Sequence, residues 1–147
     1  MLFRSALARL VRTAQASFGV ALLLDCHSMP SAGGVGDGAG GETLADIVLG
    51  DVWGQSCDPL LVERAEVYLT QRGYAVVRNA PYAGGYTTRH YGRPGDGVHA
   101  LQIEINRALY LDEARIEPIA AFARVSNDLL GLVEALGRTT LELRPQR

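Results

Sequence analysis

The chain reads as an α/β protein in which amphipathic helices alternate with short buried strands around one sheet. Three observations lead there. The run Val20-Ala21-Leu22-Leu23-Leu24 is short, is preceded by Gly19, and stops at Asp25-Cys26-His27-Ser28-Met29-Pro30. His99–Asn106 alternates, with Leu101, Ile103 and Ile105 on one face and Gln102, Glu104 and Asn106 on the other. Segments with helical apolar spacing separate the two.

The elements follow in order. Phe3, Ala6, Leu7, Leu10, Val11 and Ala14 recur at helical spacing and predict a first helix over 2–16. Arg4, Arg9 and Arg12 with no acid also permit a targeting segment, but Gly19 leads straight into a strand, which favours the amphipathic helix. The strand over 18–25 carries the unbroken apolar run Val20–Leu24, as expected of one covered on both faces in a parallel or mixed sheet. Glycine, serine and aspartate fill a loop over 31–42. Its Gly36-Asp37-Gly38-Ala39-Gly40-Gly41 has the spacing of a dinucleotide fingerprint but does not directly follow a strand, so a plain loop is the better reading. A short strand is predicted over 46–51. Asp58 as N-cap and Pro59 at the first helical position open a helix with Leu61, Ala65, Tyr68 and Leu69 on its apolar face, ended by Gly73. A strand over 74–79 and a loop rich in glycine and tyrosine over 80–97 precede the 99–106 strand. A last helix is expected over 113–136, with Ile116, Ile119, Ala120, Ala123, Leu130 and Val133 at helical spacing.

At 147 residues, 48% of them hydrophobic, the chain is long enough for a single domain with its own core. Its net charge is -2 with no basic face, so nucleic-acid binding has no compositional support. All 14 basic residues are arginine, which excludes a lysine Schiff base or a phosphate-loop lysine within these residues. Cys26 and Cys57 make no disulfide framework, and a reducing cytoplasm is the simplest setting. No apolar stretch is long enough to span a membrane.

The chemistry-bearing residues cluster at strand ends. In open α/β sheets ligands bind outside the carboxyl ends of strands, where His27 stands as a candidate metal ligand or general base. Glu104 lies on a polar face that a flanked sheet turns toward a cavity. A metal-binding histidine plus a nearby carboxylate is the parts list of metal-assisted hydrolysis. On spacing alone His27 reads equally as a hydrogen-bonded strand-end histidine, and Glu104 as an ion-pair partner of an arginine such as Arg107. In the 80–97 loop, Arg89 and Arg93 offer planar forks suited to carboxylates, and the tyrosines offer rigid contact area. Cys26 as a nucleophile is the weakest reading, because strand neighbours point to opposite faces.

Leu24–Pro30, Asn79–Pro94, and Leu101-Gln102-Ile103-Glu104-Ile105-Asn106-Arg107 with Leu109-Tyr110-Leu111 resemble, together and in this order, the N-formylglutamate amidohydrolases, also called N-formylglutamate deformylases. The likeness runs from about Phe18 to Leu136. It implies a three-layer α/β/α sandwich on a mixed sheet, phosphorylase/hydrolase-like and similar to zinc carboxypeptidases and aspartoacylases. It implies hydrolysis of N-formyl-L-glutamate to formate and L-glutamate, a late step of one histidine-degradation route, with Zn2+ or another divalent metal as cofactor. His27 then corresponds to the last zinc-binding histidine and Glu104 to the glutamate that activates the water. Arg89 and Arg93 correspond to carboxylate-holding residues, and Tyr86 and Asn79 join them as candidate substrate-binding residues. The family also expects a preceding segment with another histidine and a carboxylate. His27 is the sole histidine before residue 90, so the chain reads as the C-terminal half of a longer enzyme. The competing reading is a non-catalytic module that binds an acidic amino-acid derivative.

Overall fold

The computed structural model describes residues 2–31 and 45–144. The dinucleotide-like glycine run, 36–41, lies outside the described residues. Helix α1 (Leu2–Phe18) leads through Gly19, whose φ of 77° suits glycine, into strand β1 (Ala21–Met29). Strand β2 (Ile47–Gly50), helix α2 (Pro59–Thr70) and strand β3 (Val76–Arg78) follow. Next come a short helix α3 (Tyr86–Tyr91), strand β4 (Val98–Asn106), a small hairpin of β5 (Leu111–Asp112) and β6 (Glu117–Pro118), and helix α4 (Phe122–Glu142). The main sheet has the order β1-β4-β2-β3. β1 and β4 pair parallel, β4 and β2 antiparallel, and β2 and β3 parallel, so the sheet is mixed, as expected.

The alternation of β4 assigns the two faces. Leu101, Ile103 and Ile105 join Ile47 and Leu49 in one apolar core, which α2 covers with Leu61, Val62, Ala65 and Leu69, and α4 with Val125, Leu132 and Leu136. Each such aliphatic side chain gains about 1.5–3 kcal/mol by leaving water. The N-cap expected at Asp58 is present, its carboxylate accepting from Leu60 N–H at 2.9 Å. The opposite face carries Gln102 and Glu104. It is covered by α3, whose buried Thr88 lies against Gln102, and by the loop before α3. There Met29, Ala45 and Val48 form a second small cluster under Tyr82. The Ala80–Pro81 peptide in that loop is cis.

Three expectations need correction. β1 is an edge strand among the described elements, not a strand buried on both faces, and Cys26, His27 and Ser28 are exposed. Its apolar run anticipated burial that goes instead to β4, buried along nearly its whole length. The 80–97 loop is not unstructured, since it contains α3 and a single 3₁₀ turn over Pro94–Asp96. The last helix begins at Phe122, not near residue 113. Asp112 Oδ1 captures the N–H groups of Ala114 and Arg115 in a tight turn, and Pro118 follows, so the chain forms a hairpin before any helix can start. Ile116 is consequently 78% exposed, and Leu130 and Val133 of α4 also face outward.

Candidate active site

The parallel pairing of β1 with β4 places His27 directly beside Glu104, and Asp25 beside Gln102. Paired residues of neighbouring strands point to the same side, about 4.8 Å apart between strands. Asp25, His27 and Met29 therefore share one face with Gln102, Glu104 and Asn106. Antiparallel β2 adds Val48 opposite Glu104 and Gly50 opposite Gln102. Residues some 77 positions apart in the chain meet through strand register alone.

Each polar side chain of this face is held. His27, its side chain 49% exposed, places Nε2 3.1 Å from Asp25 Oδ1. The carboxylate lies on the Nε2 side of the ring, so Nδ1 is the nitrogen turned away from it. Glu104 is 7% exposed, and its Oε1 accepts from Gln102 Nε2 at 2.8 Å. Gln102 Oε1 accepts in turn from the Gly85 N–H at 2.6 Å and from Thr88 Oγ1 at 3.5 Å. A backbone amide of the covering loop thus orients Gln102, which orients Glu104.

The Glu104 carboxyl titrates above the usual glutamate range. Burial is the largest cause, and Asp25 adds to it. Attraction to His27 and the Gln102 hydrogen bond pull the other way without cancelling it. A buried carboxylate with a raised pKa is suited to accept a proton. Arg107 does not pair with Glu104. Its guanidinium lies 3.9 Å from Glu113, which also accepts from Ser31. That removes the ion-pair reading of Glu104 in this structure.

The other sequence candidates separate. Arg89, on α3, donates from Nε to the Gly84 carbonyl at 3.2 Å, beside the loop that holds Gln102. Arg93 does not join it. Its backbone pairs with Val98 at the start of β4, and Glu104 lies six residues further along the strand, about 20 Å away at the strand rise. Tyr86 stacks on His90 and lies under Arg4, on the side of α3 that meets α1. Asn79 is committed to the backbone. With φ of 61°, its Oδ1 accepts from the N–H groups of Asp51 and Trp53 and its Nδ2 donates to Asp51 Oδ1 at 2.7 Å. It braces the turn at Val52 and Trp53, both also at positive φ. Cys26 is free and its residue exposed, yet partial burial of its thiol and then Asp25 push the thiol pKa up, which disfavours a thiolate nucleophile.

Asp25 and Gln102 were not among the site residues read from sequence. Asp25 had a signal, since it sits two residues before His27 on a strand and must share its face. Gln102 had the same signal relative to Glu104.

A metal ion is the test of the remaining expectation. The His27–Asp25 arrangement fits one histidine ligand with its orienting carboxylate. Among the described residues, however, no group of three or more histidine, cysteine, aspartate or glutamate side chains gathers to hold an ion. These residues do not complete a metal site of the usual three protein ligands.

Comparison with known proteins gives the family. A family model described as N-formylglutamate amidohydrolase matches residues 3–111. An N-formylglutamate deformylase of Pseudomonas aeruginosa is 40% identical over 131 residues, covering 84% of this chain and 48% of that protein. One of Pseudomonas putida is 43% identical over 98 residues, covering 65% of this chain and 35% of that protein. The crystal structure of an N-formylglutamate amidohydrolase from Ralstonia eutropha superposes with a TM-score of 0.80 at 35% identity, over 97% of this chain and 50% of that one. A gene product of Agrobacterium tumefaciens shares the fold, with a TM-score of 0.66 at 21% identity, over 93% of this chain and 50% of that one. The chain thus spans half or less of the length of the relatives it matches. His27 and Glu104 both fall inside the matched segment, and on this evidence the chain belongs to the N-formylglutamate amidohydrolase family.

Proposed function

We propose that this chain carries the general base and one metal-ligating histidine of a deformylase that hydrolyses N-formyl-L-glutamate to formate and L-glutamate. The observation that supports it is the pairing of His27 with Glu104 in register on one polar face, in a chain belonging to this family. In this reading Glu104 takes a proton from the attacking water and hands it to the departing amine nitrogen. Gln102 holds the carboxylate at its post, and Asp25 holds the imidazole. Arg89 is the arginine assigned to a substrate carboxylate, whereas Arg93 stands at the other end of β4. His27 would be one ligand of a bound zinc ion, which would polarise the formyl carbonyl. We place the reaction in cytoplasmic histidine degradation. No helix among the described residues is long and apolar enough to cross a membrane.

The test is formate release from N-formyl-L-glutamate by the chain combined with the remainder of the Pseudomonas aeruginosa relative. Glu104→Gln keeps the shape and the Gln102 contact but cannot take up the proton. Its kcat is expected to fall about 10²–10⁴-fold with zinc content unchanged. His27→Ala is expected to lower zinc content together with rate. A Glu104→Gln protein that turns over near normally refutes the assignment of the base.

A further inference from the structure

The end of the sheet away from Glu104 holds a cavity lined by both polar and apolar side chains. It has a volume of about 240 Å³ and opens between α1 and the segment from α3 to the start of β4. Arg12 and Gln15 line it from α1, His90 and Tyr91 from α3, and Arg93 and Asp96 from the turn that follows. Val98, at its floor, is six residues before Glu104, so the two sites stand about 20 Å apart along β4.

The charges of this cavity are unbalanced. Two guanidiniums face one carboxylate, Asp96. Among the described residues neither Arg12 nor Arg93 lies within 4.0 Å of a carboxylate oxygen, although five other ion pairs form. The neighbouring polar groups are spoken for. Gln15 Nε2 donates to the Asp96 carbonyl at 2.6 Å, and the Tyr91 hydroxyl donates to the Arg4 carbonyl at 3.0 Å. These two bonds clamp α1 to the far wall and hold the cavity's shape. Without a hydrogen-bond or ion-pair partner among the described residues are the two planar donor forks and the ring nitrogens of His90, whose ring packs between Tyr86 and Tyr91. Guanidinium forks on both walls suit a ligand with several coplanar or tetrahedral oxygens, since each can donate two parallel bonds.

We propose that this cavity is a binding site for a small oxyanion, a phosphate or a carboxylate, held between Arg12 and Arg93 and separate from the Glu104 site. The ligand bridges α1 to the α3–β4 turn, two segments otherwise joined at this point by the Gln15 and Tyr91 bonds.

The experiment is calorimetric titration of the purified chain with inorganic phosphate and, separately, with succinate. Saturable one-to-one binding of either, tighter than about 1 mM, is the expected result, and the tighter of the two names the source. Arg12→Gln and Arg93→Gln are each expected to weaken it at least about tenfold, the loss of one charge-assisted contact. Arg115→Gln, an exposed arginine on the β5–β6 hairpin, should leave it unchanged. Because both test residues are at the surface, circular dichroism should show folded variants. Should either variant unfold, His90 ring resonances of the unaltered chain supply a second reading, since they shift on anion addition only if the ligand sits here. No saturation by either anion, equal binding in the arginine variants, or unmoved His90 signals overturns the proposal.

Discussion

Gly50→Ala tests whether the covering loop truly rests on β2. An added Cβ would lie 2.8 Å from the Ala83 carbonyl carbon and the Tyr82 oxygen, and 2.9 Å from the Gly84 nitrogen. All three are backbone atoms, so no flexible side-chain tip can swing aside. Restoring ordinary contact at 3.4 Å from 2.8 Å requires the loop to withdraw by at least 0.6 Å. The Gly85 N–H, now 2.6 Å from Gln102 Oε1, then stretches or breaks its bond, and Gln102 loses the contact that orients it on Glu104. Overpacking of this kind costs about 1–3 kcal/mol, and a weakened hydrogen bond adds about 0.5–1.5 kcal/mol. The variant should therefore lose about 2–4 kcal/mol, read as a lower urea midpoint at unchanged slope. Gly95→Ala is the control, because nothing lies within 4 Å of its added Cβ. A Gly50→Ala protein as stable as the Gly95→Ala control would show that the loop does not lie where the structure puts it.

Two further outcomes follow from the same coordinates. Because the folded-state pKa of Glu104 is raised above its ordinary value of 4.5, the native state holds this proton longer than the unfolded chain. The resulting stability is full below that value and is lost as pH rises through the folded pKa. Glu104→Gln should remove this loss, so its urea midpoint should decline less between acid and neutral pH than that of the unaltered chain; parallel pH curves would contradict the burial of a carboxylate here. Gly137→Ala, inside α4 with nothing within 4 Å of the new Cβ, should gain up to about 1 kcal/mol in helix propensity, and a thermal melt that moves down instead would refute an open position at this point of the helix.

The sequence by itself determined the α/β class of fold and the two faces of the strand that carries Glu104. Period-two alternation is a local property of an extended chain, so the polar face of 99–106 was legible from Gln102, Glu104 and Asn106 alone. The N-cap at Asp58 was legible for the same reason, since a cap needs only its own helix start. Residues 113–121 misled because their apolar spacing fits a helix, while the Asp112 turn and Pro118 give the backbone a better alternative. The outward turn of Leu130 and Val133 was hidden too, because α4 has apolar residues on more than one side and packing against α2 and β1 selects which are buried.

Tertiary structure alone decided the composition of the site. Strand register joined His27 to Glu104, and register depends on how distant segments pair. It also divided the arginines, leaving Arg89 beside the covering loop and Arg93 near the start of β4, although four positions separate them in the chain. Asn79 looked available for a ligand, yet its side chain is spent on the Asp51–Trp53 turn. The physical reason is common to all three cases. A side chain's partners are set by which backbone groups the fold leaves unsatisfied nearby, and that is a property of long-range packing, not of local residue pattern.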